Sequence, residues 1–339
     1  MKKNIDTATT FAKRLLAWYD QNRRILPWRE DPTPYHVFVS EIMLQQTRVD
    51  TVLPYYDHFL NKYPTFAALS ESSEEEILLY WQGLGYYSRA RNLRKAAQMV
   101  MRDYGGRLPS SPKELCALPG VGPYVSHAVS AIAFDEPYVA IDGNLMRVYA
   151  RLQEASVEPS DAKGKAAAER FFLGRIEHPS HFNQALMDLG ELVCLPNGEP
   201  HCPECPLREQ CRAFAHGSML SYPLPKKKAT LKYETRTVLL VRDEQGRLAI
   251  QKRPEEGLLA GLYEFPNLEG SFTSEELAER FPSLTDICFR DEAKHRFSHI
   301  EWKMRVYAAN GSLPYCLRAR EEELTERYSM PTAFLKLLG

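Results

Sequence analysis

Apolar positions divide the chain before any motif is considered. Up to about residue 215 they recur three and four residues apart: Phe11, Leu15 and Trp18 share one helical face, as do Val125, Ala128, Val129 and Ile132. Proline and glycine punctuate these segments in PWREDPTP, YGGRLPSSP and LPGVGP. Beyond residue 234 the period changes to two. TRTVLLV, the turn DEQG and RLAIQK read as a hairpin, and IEWKMRVY (300–307) alternates Ile300, Trp302, Met304 and Val306 with polar residues. SYPLPKKKATLKYE (221–234) follows neither period and reads as a linker. The pattern predicts a multidomain chain: an all-α domain over 1–220, a linker over 221–233 and a smaller α+β domain over 234–339. No short repeat or low-complexity stretch interrupts it.

Composition adds little to this picture. With 44% hydrophobic and 26% charged residues the chain resembles an ordinary soluble protein. No apolar run approaches the roughly 20 residues of a membrane helix, so no membrane partner is expected. The start MKKNIDTATT lacks a secretory apolar stretch, which predicts a cytoplasmic location. A net charge of −1 announces no nucleic-acid partner, so any such contact must be local. SRARNLRK (88–95) is a candidate basic patch, with a solvated helix face as its plainer reading. A monomer is expected, since no exposed apolar stripe is left unassigned.

The cysteines change the picture more. Four of the seven lie in CLPNGEPHCPECPLREQC, at 194, 202, 205 and 211. A reducing compartment and an odd count argue against disulfides and for a metal site. Cys-x7-Cys-x2-Cys-x5-Cys, with proline after Cys202 and Cys205, favours an iron–sulfur cluster, while structural zinc stays open. Cys116, Cys288 and Cys316 are expected as small core residues.

Two carboxylates stand in unusual settings. Glu41 interrupts the apolar run VFVSEIMLQQT (37–47), where desolvation would raise its pKa as a general acid requires. Asp142 precedes a helix in YVAIDGNLMRVYARL (138–152), where amide donors and the helix dipole favour the anion. One protonated and one charged acid can cleave a glycosidic bond. LPGVGPY (118–124) adds a helix–hairpin–helix turn, in which Gly120 and Gly122 permit positive φ and Pro123 opens the next helix. Such a turn aims backbone N–H groups at a phosphate.

Together these residues resemble the endonuclease III superfamily of DNA glycosylases, and within it the MutY family of adenine glycosylases. LPWR (26–29), SEIMLQQTRV (40–49), GLGYYSRARNL (83–93), LPGVGPY (118–124), IDGN (141–144) and FNQALMDLG (182–190) carry the likeness, which spans nearly the whole chain.

The resemblance implies removal of adenine mispaired with 8-oxoguanine (or guanine) in double-stranded DNA, within base excision repair. It implies a 4Fe-4S cluster on Cys194, Cys202, Cys205 and Cys211. It gives Glu41 the role of general acid and Asp142 that of stabilising the sugar cation, with Asn144 beside it. Tyr124 stands where lyase-competent relatives carry lysine, so a monofunctional glycosylase is implied, with Tyr124 assisting catalysis. Arg24, Trp28 and Gln184 match the adenine pocket. Gln46, Thr47, Leu84 and Tyr86 match residues around the lesion and the gap, with Tyr86 as a wedge. Gly120 and Gly122 would meet the DNA backbone.

The C-terminal part resembles a MutT-like (Nudix-like) domain. GLLAGLYEFP (257–266) approaches a Nudix box, yet NLEGSFTSEELAERF lacks its magnesium ligands, which implies recognition instead of nucleotide hydrolysis. Phe297, Ser298 and His299 match the loop that detects 8-oxoguanine. One departure is the loop LPNGEPH between Cys194 and Cys202, a residue longer than usual and without Lys or Arg. The rivals are a bifunctional glycosylase/AP lyase for oxidised pyrimidines, a non-catalytic DNA-binding protein and a nucleotide-pool hydrolase.

Overall fold

The computed structural model describes residues 2–225 and 230–339, with side chains from Thr10 onward. Of the expected linker, residues 226–229 lie outside the described residues. By compactness the chain forms two units, Met1–Glu71 with Asn92–Lys227, and Ser72–Arg91 with Lys228–Gly339. The segment 72–91 thus packs with the C-terminal part, which its helical sequence pattern does not announce. No described helix is long and apolar enough to cross a membrane.

The first unit is helical. Thr33 opens the helix Pro34–Leu44 by accepting from His36 N, and Pro34 occupies its first turn. From Tyr35 to Met43 only His36 of this helix escapes burial, so Glu41 is carried into the interior by its apolar neighbours. The helix Pro123–Phe134 packs against it, and the helix Pro179–Leu192 against that. Phe11 and Leu15 join Leu145, Phe172, Phe182 and Leu186 in one hydrophobic core cluster of this unit.

The second unit holds a seven-stranded mixed sheet: β1 (Lys232–Arg242), β2 (Leu248–Lys252), β3 (Tyr263–Glu264), β4 (Asn267–Glu269), β5 (Leu284–Arg296), β6 (Ile300–Gly311) and β7 (Leu317–Ala319). The order is β3-β2-β1-β6-β5, with β4 also on β1 and β7 on β2. The expected hairpin forms as β1 and β2, with Arg242 opposite Leu248. β1 also runs parallel to β6 from Lys232 opposite Ile300 to Arg242 opposite Asn310. Alternation sends Val238 and Leu240 to one face and Leu239 and Val241 to the other. Both faces are covered, which explains the unbroken apolar run in β1. Thr273 and Glu276 form a capping box on the helix Ser274–Arg280, whose Leu277 seals one face. The expectation of core positions is corrected for Cys116 and Cys288, which are exposed, whereas Cys316 is half-buried against a core cluster of the second unit.

Candidate active site

Glu41 is buried at 5% exposure, and its Oε2 is buried without a hydrogen-bond partner. Burial pushes its carboxyl up to about 7; the Tyr124 hydroxyl opposes this by hydrogen bonding, Asp142 adds to it and Arg29 opposes it. Glu41 lines a cavity of about 60 Å³ together with Arg24, Trp28, Arg29, Tyr124 and Gln184. Trp28 is held edge-on against Tyr56 at 5.1 Å, so its ring forms a fixed wall.

Tyr124 sits in the first turn of the helix Pro123–Phe134. Burial, then the Glu41 and Asp142 charges, raise its phenol well above the ordinary range, so it stays a hydrogen-bond donor. Leu118 and Val121 are buried and pin the preceding turn. Gly120 has φ +79°, and a Cβ there would meet Asn92 Cβ at 2.8 Å, so this position needs glycine. Gly122 differs from expectation: its φ of −102° is extended, and it caps the helix with open space around it.

A neighbouring cavity of about 760 Å³ is lined by Gln46, Gly122, Tyr124, Asp142 and Gly143. Tyr124 and Leu44 border both cavities, which brings Glu41, Tyr124 and Asp142 into one site. Asp142 caps the helix Gly143–Gln153, accepting from Leu145 N at 2.7 Å. Burial raises its carboxyl above the usual range, while Leu145 N–H, Arg147 and the amides of Asn144 and Asp142 pull it back. Burial outweighs the donors, a competition the capping motif alone does not display. Thr47 follows Gln46, whose φ is +57°, and donates its hydroxyl to Gln45 O at 3.4 Å.

Two buried arginines, Arg147 and Arg151, escaped sequence reading. Arg147 donates from Nη2 to Asn144 Oδ1 (2.8 Å) and Gly190 O (2.7 Å), and from Nε to Cys194 O (2.7 Å). It ties the residue beside Asp142 to the start of the cysteine loop. Arg151 donates to Cys194 Sγ at 3.3 Å and Leu195 O at 2.9 Å, bracing that loop. Their i, i+4 spacing on a helix was the available signal. Arg89 belongs to the expected basic patch, yet it is buried, donating to Gly85 O at 3.0 Å and to Leu84 O at 3.3 Å. Arg91 donates to Ala260 O at 2.7 Å. Half of that patch is therefore structural.

Cys194, Cys202, Cys205 and Cys211 line one apolar cavity in the first unit. Among the described residues no group of three or more His, Cys, Asp or Glu side chains is arranged to hold a metal ion, although all four cysteines line this one cavity. The extra-length loop exposes residues 196–199 and is closed by His201 N donating to Val193 O at 2.9 Å.

In the second unit Leu84 is buried at 5% exposure, whereas Tyr86 is 43% exposed with φ +48°. Arg89 lies over the Tyr86 ring at 5.4 Å and helps hold this strained turn. Tyr86 and Arg91 share a cleft of about 750 Å³ with Phe297, Ser298 and His299. Phe297 packs edge-on against Trp302 at 4.9 Å, and Ser298 Oγ lies 3.1 Å from His299 Nδ1.

Residues 39–172 match the HhH-GPD superfamily of base excision DNA repair proteins, and residues 237–339 match the NUDIX domain family. An adenine DNA glycosylase of Homo sapiens is 34% identical, over 92% of this chain and 69% of that protein. One from Buchnera aphidicola subsp. Schizaphis graminum is 32% identical, over 86% of this chain and 85% of that protein. The solved structure of a thermostable thymine-DNA glycosylase superposes with a TM-score of 0.56 at 30% identity, covering 63% of this chain and 98% of that one. The chain belongs to the adenine DNA glycosylase family, within the HhH-GPD superfamily of base excision DNA repair proteins.

Proposed function

We propose that this protein is a monofunctional glycosylase that hydrolyses adenine from A:8-oxoguanine (or A:guanine) mispairs in duplex DNA, leaving an abasic site. The carrying observation is a buried Glu41, its carboxyl pushed up to about 7 by burial, that lines one cavity together with Trp28, Tyr124 and Gln184. An extruded adenine entering that cavity would meet Glu41 as an acid, which protonates a ring nitrogen and makes the base a better leaving group. Asp142 then faces the sugar as positive charge develops, with its orientation fixed by the Leu145 amide and its neighbour Asn144 held by Arg147. Tyr124 offers no amine for a Schiff base, so water completes the reaction and the strand stays intact.

Gly120, Gly122, Gln46 and Thr47 would meet the DNA around the extruded nucleotide, with Leu84 and Tyr86 at the gap. Phe297, Ser298 and His299 would read the 8-oxoguanine. Four thiols around one apolar cavity, with Arg151 donating to a sulfur, are the donor set a 4Fe-4S cluster takes. When bound, it would contribute folding energy and an electron-accepting centre. The protein is read as a cytoplasmic monomer.

The test is to incubate it with a duplex carrying adenine opposite 8-oxoguanine and to measure free adenine and strand breaks. Adenine release, with breaks only after alkali, supports the reading. Breaks without alkali favour a lyase, and no release contradicts the reading.

A further inference from the structure

Asp188 is fully buried on the helix Pro179–Leu192, one turn beyond Gln184. It does not line the base cavity itself. Its Oδ1 accepts from Arg24 Nε at 2.8 Å and Arg29 Nη2 at 3.1 Å, and its Oδ2 from Arg29 Nη1 at 2.6 Å and Arg24 N at 3.2 Å. Both arginines do line that cavity. Arg29 also donates to Arg24 O at 3.3 Å, so one carboxylate organises the whole cationic wall.

The wall poses an electrostatic problem. A cation beside Glu41 favours its anion, and an ionised Glu41 has no proton to give. The charged and titratable groups facing Glu41 are Tyr124 from the helix Pro123–Phe134, Asp142 from the cap of the next helix and Arg29. Arg24 adds a cation to the cavity wall, while Val49 and Ile132 bring no charge. On its own helix the other titratable groups are Tyr35, whose hydroxyl donates to Tyr63 O, and His36, which pairs with Asp31 at 3.1 Å. Asp188 is thus the counter-ion that offsets both arginines.

Resting on the adenine glycosylase reading, we infer that Asp188 is a positioning residue for excision: it fixes Arg24 and Arg29 along the base cavity and cancels their charge toward Glu41, so that the acid keeps its proton. It touches no substrate and acts through the arginines.

The experiment is the pH dependence of single-turnover adenine release for wild type, Asp188→Asn, Asp188→Glu, Arg29→Gln and the Asp188→Asn/Arg29→Gln pair. A general acid must be protonated, so the rate falls as pH rises through its pKa. Asp188→Asn exposes Glu41 to an uncancelled cation and moves that falling limb to lower pH by about one unit. The rate then drops about tenfold on the alkaline side and approaches wild type on the acid side. Asp188→Glu keeps the limb in place, and adding Arg29→Gln returns it toward alkaline pH. A uniform loss at every pH, with the limb unmoved, overturns the inference and leaves Asp188 structural. If Asp188→Asn does not fold, Arg29→Gln decides: its limb moves alkaline if the cation reaches Glu41, and an unmoved limb overturns the inference. Wild type that releases no adenine would instead overturn the underlying functional reading.

Discussion

Tyr124 and Glu41 line the same cavity, and Tyr124 also borders the neighbouring cavity that Asp142 lines. One phenol therefore stands at the border between the cavity of the acid and the cavity of Asp142. Its hydroxyl favours the charged form of Glu41, while burial favours the neutral form more strongly. Tyr124→Phe should remove the first influence alone. The falling limb of adenine release against pH should move to higher pH, read by single-turnover rates between pH 6 and pH 9. An unmoved limb would mean that the hydroxyl does not tune the acid.

Burial of Glu41 should cost stability above neutral pH. Its carboxyl titrates at about 7 when folded, against 4.5 ordinarily, so the native state binds the proton more tightly. Folding stability should fall as pH rises from 4.5 to about 7, by roughly 3 kcal/mol, and level off beyond. Glu41→Gln removes that loss. Thermal melts should show the variant more stable than wild type at pH 8 and little different at pH 5. An equal difference at both pH values would place the effect outside Glu41 ionisation.

Gly190→Ala inverts the usual helix rule. Alanine normally stabilises a helix interior by roughly 1 kcal/mol over glycine. Here the added Cβ would meet Asn144 Cβ at 2.7 Å, close to the cap that orients Asp142. The variant should melt lower than wild type and lose adenine release at least tenfold. A higher melting temperature with full activity would show that Asn144 can move freely.

Arg147→Lys should fail to replace arginine. An ammonium cannot reach Asn144 Oδ1, Gly190 O and Cys194 O together, and each acceptor left unpaired costs about 1–3 kcal/mol. Iron content and melting temperature should both fall, measured on purified protein. Unchanged values would remove Arg147 from the support of the cysteine loop.

Ser298→Ala should reduce the preference for adenine opposite 8-oxoguanine over adenine opposite guanine, while adenine release itself persists. Comparing single-turnover rates on the two mispairs measures this. Unchanged preference would count against the cleft shared by Tyr86 and Ser298 as the reader of the lesion.

How much of this was legible follows from what sequence can carry. Glu41 stood out because a lone carboxylate in VFVSEIMLQQT inherits the burial of its apolar neighbours. Asp142 stood out because a cap is local, three residues from its donor. The β1–β2 hairpin and alternating β6 were likewise short-range patterns. Asp188 did not stand out, because its partners Arg24 and Arg29 lie about 160 residues away in the chain. Arg89 was misread for the same reason in reverse: in a run of cations, nothing local shows which one turns inward to hold Gly85 and Tyr86. Gly122 shows a subtler limit, since glycine permits a positive φ without using it. The packing of 72–91 with the C-terminal part depends on contacts such as Gln82 Nε2 to Met330 O at 2.9 Å, which no periodicity encodes.

The most direct test pairs wild type with Glu41→Gln on a duplex carrying adenine opposite 8-oxoguanine, measuring both free adenine and retention of the duplex by the protein. The account predicts that wild type releases adenine, and that the variant retains the duplex almost as well while release falls at least a hundredfold, since an acid acts in the transition state and not in binding. Adenine release by the variant at a rate near wild type would contradict the assignment of Glu41 as the acid.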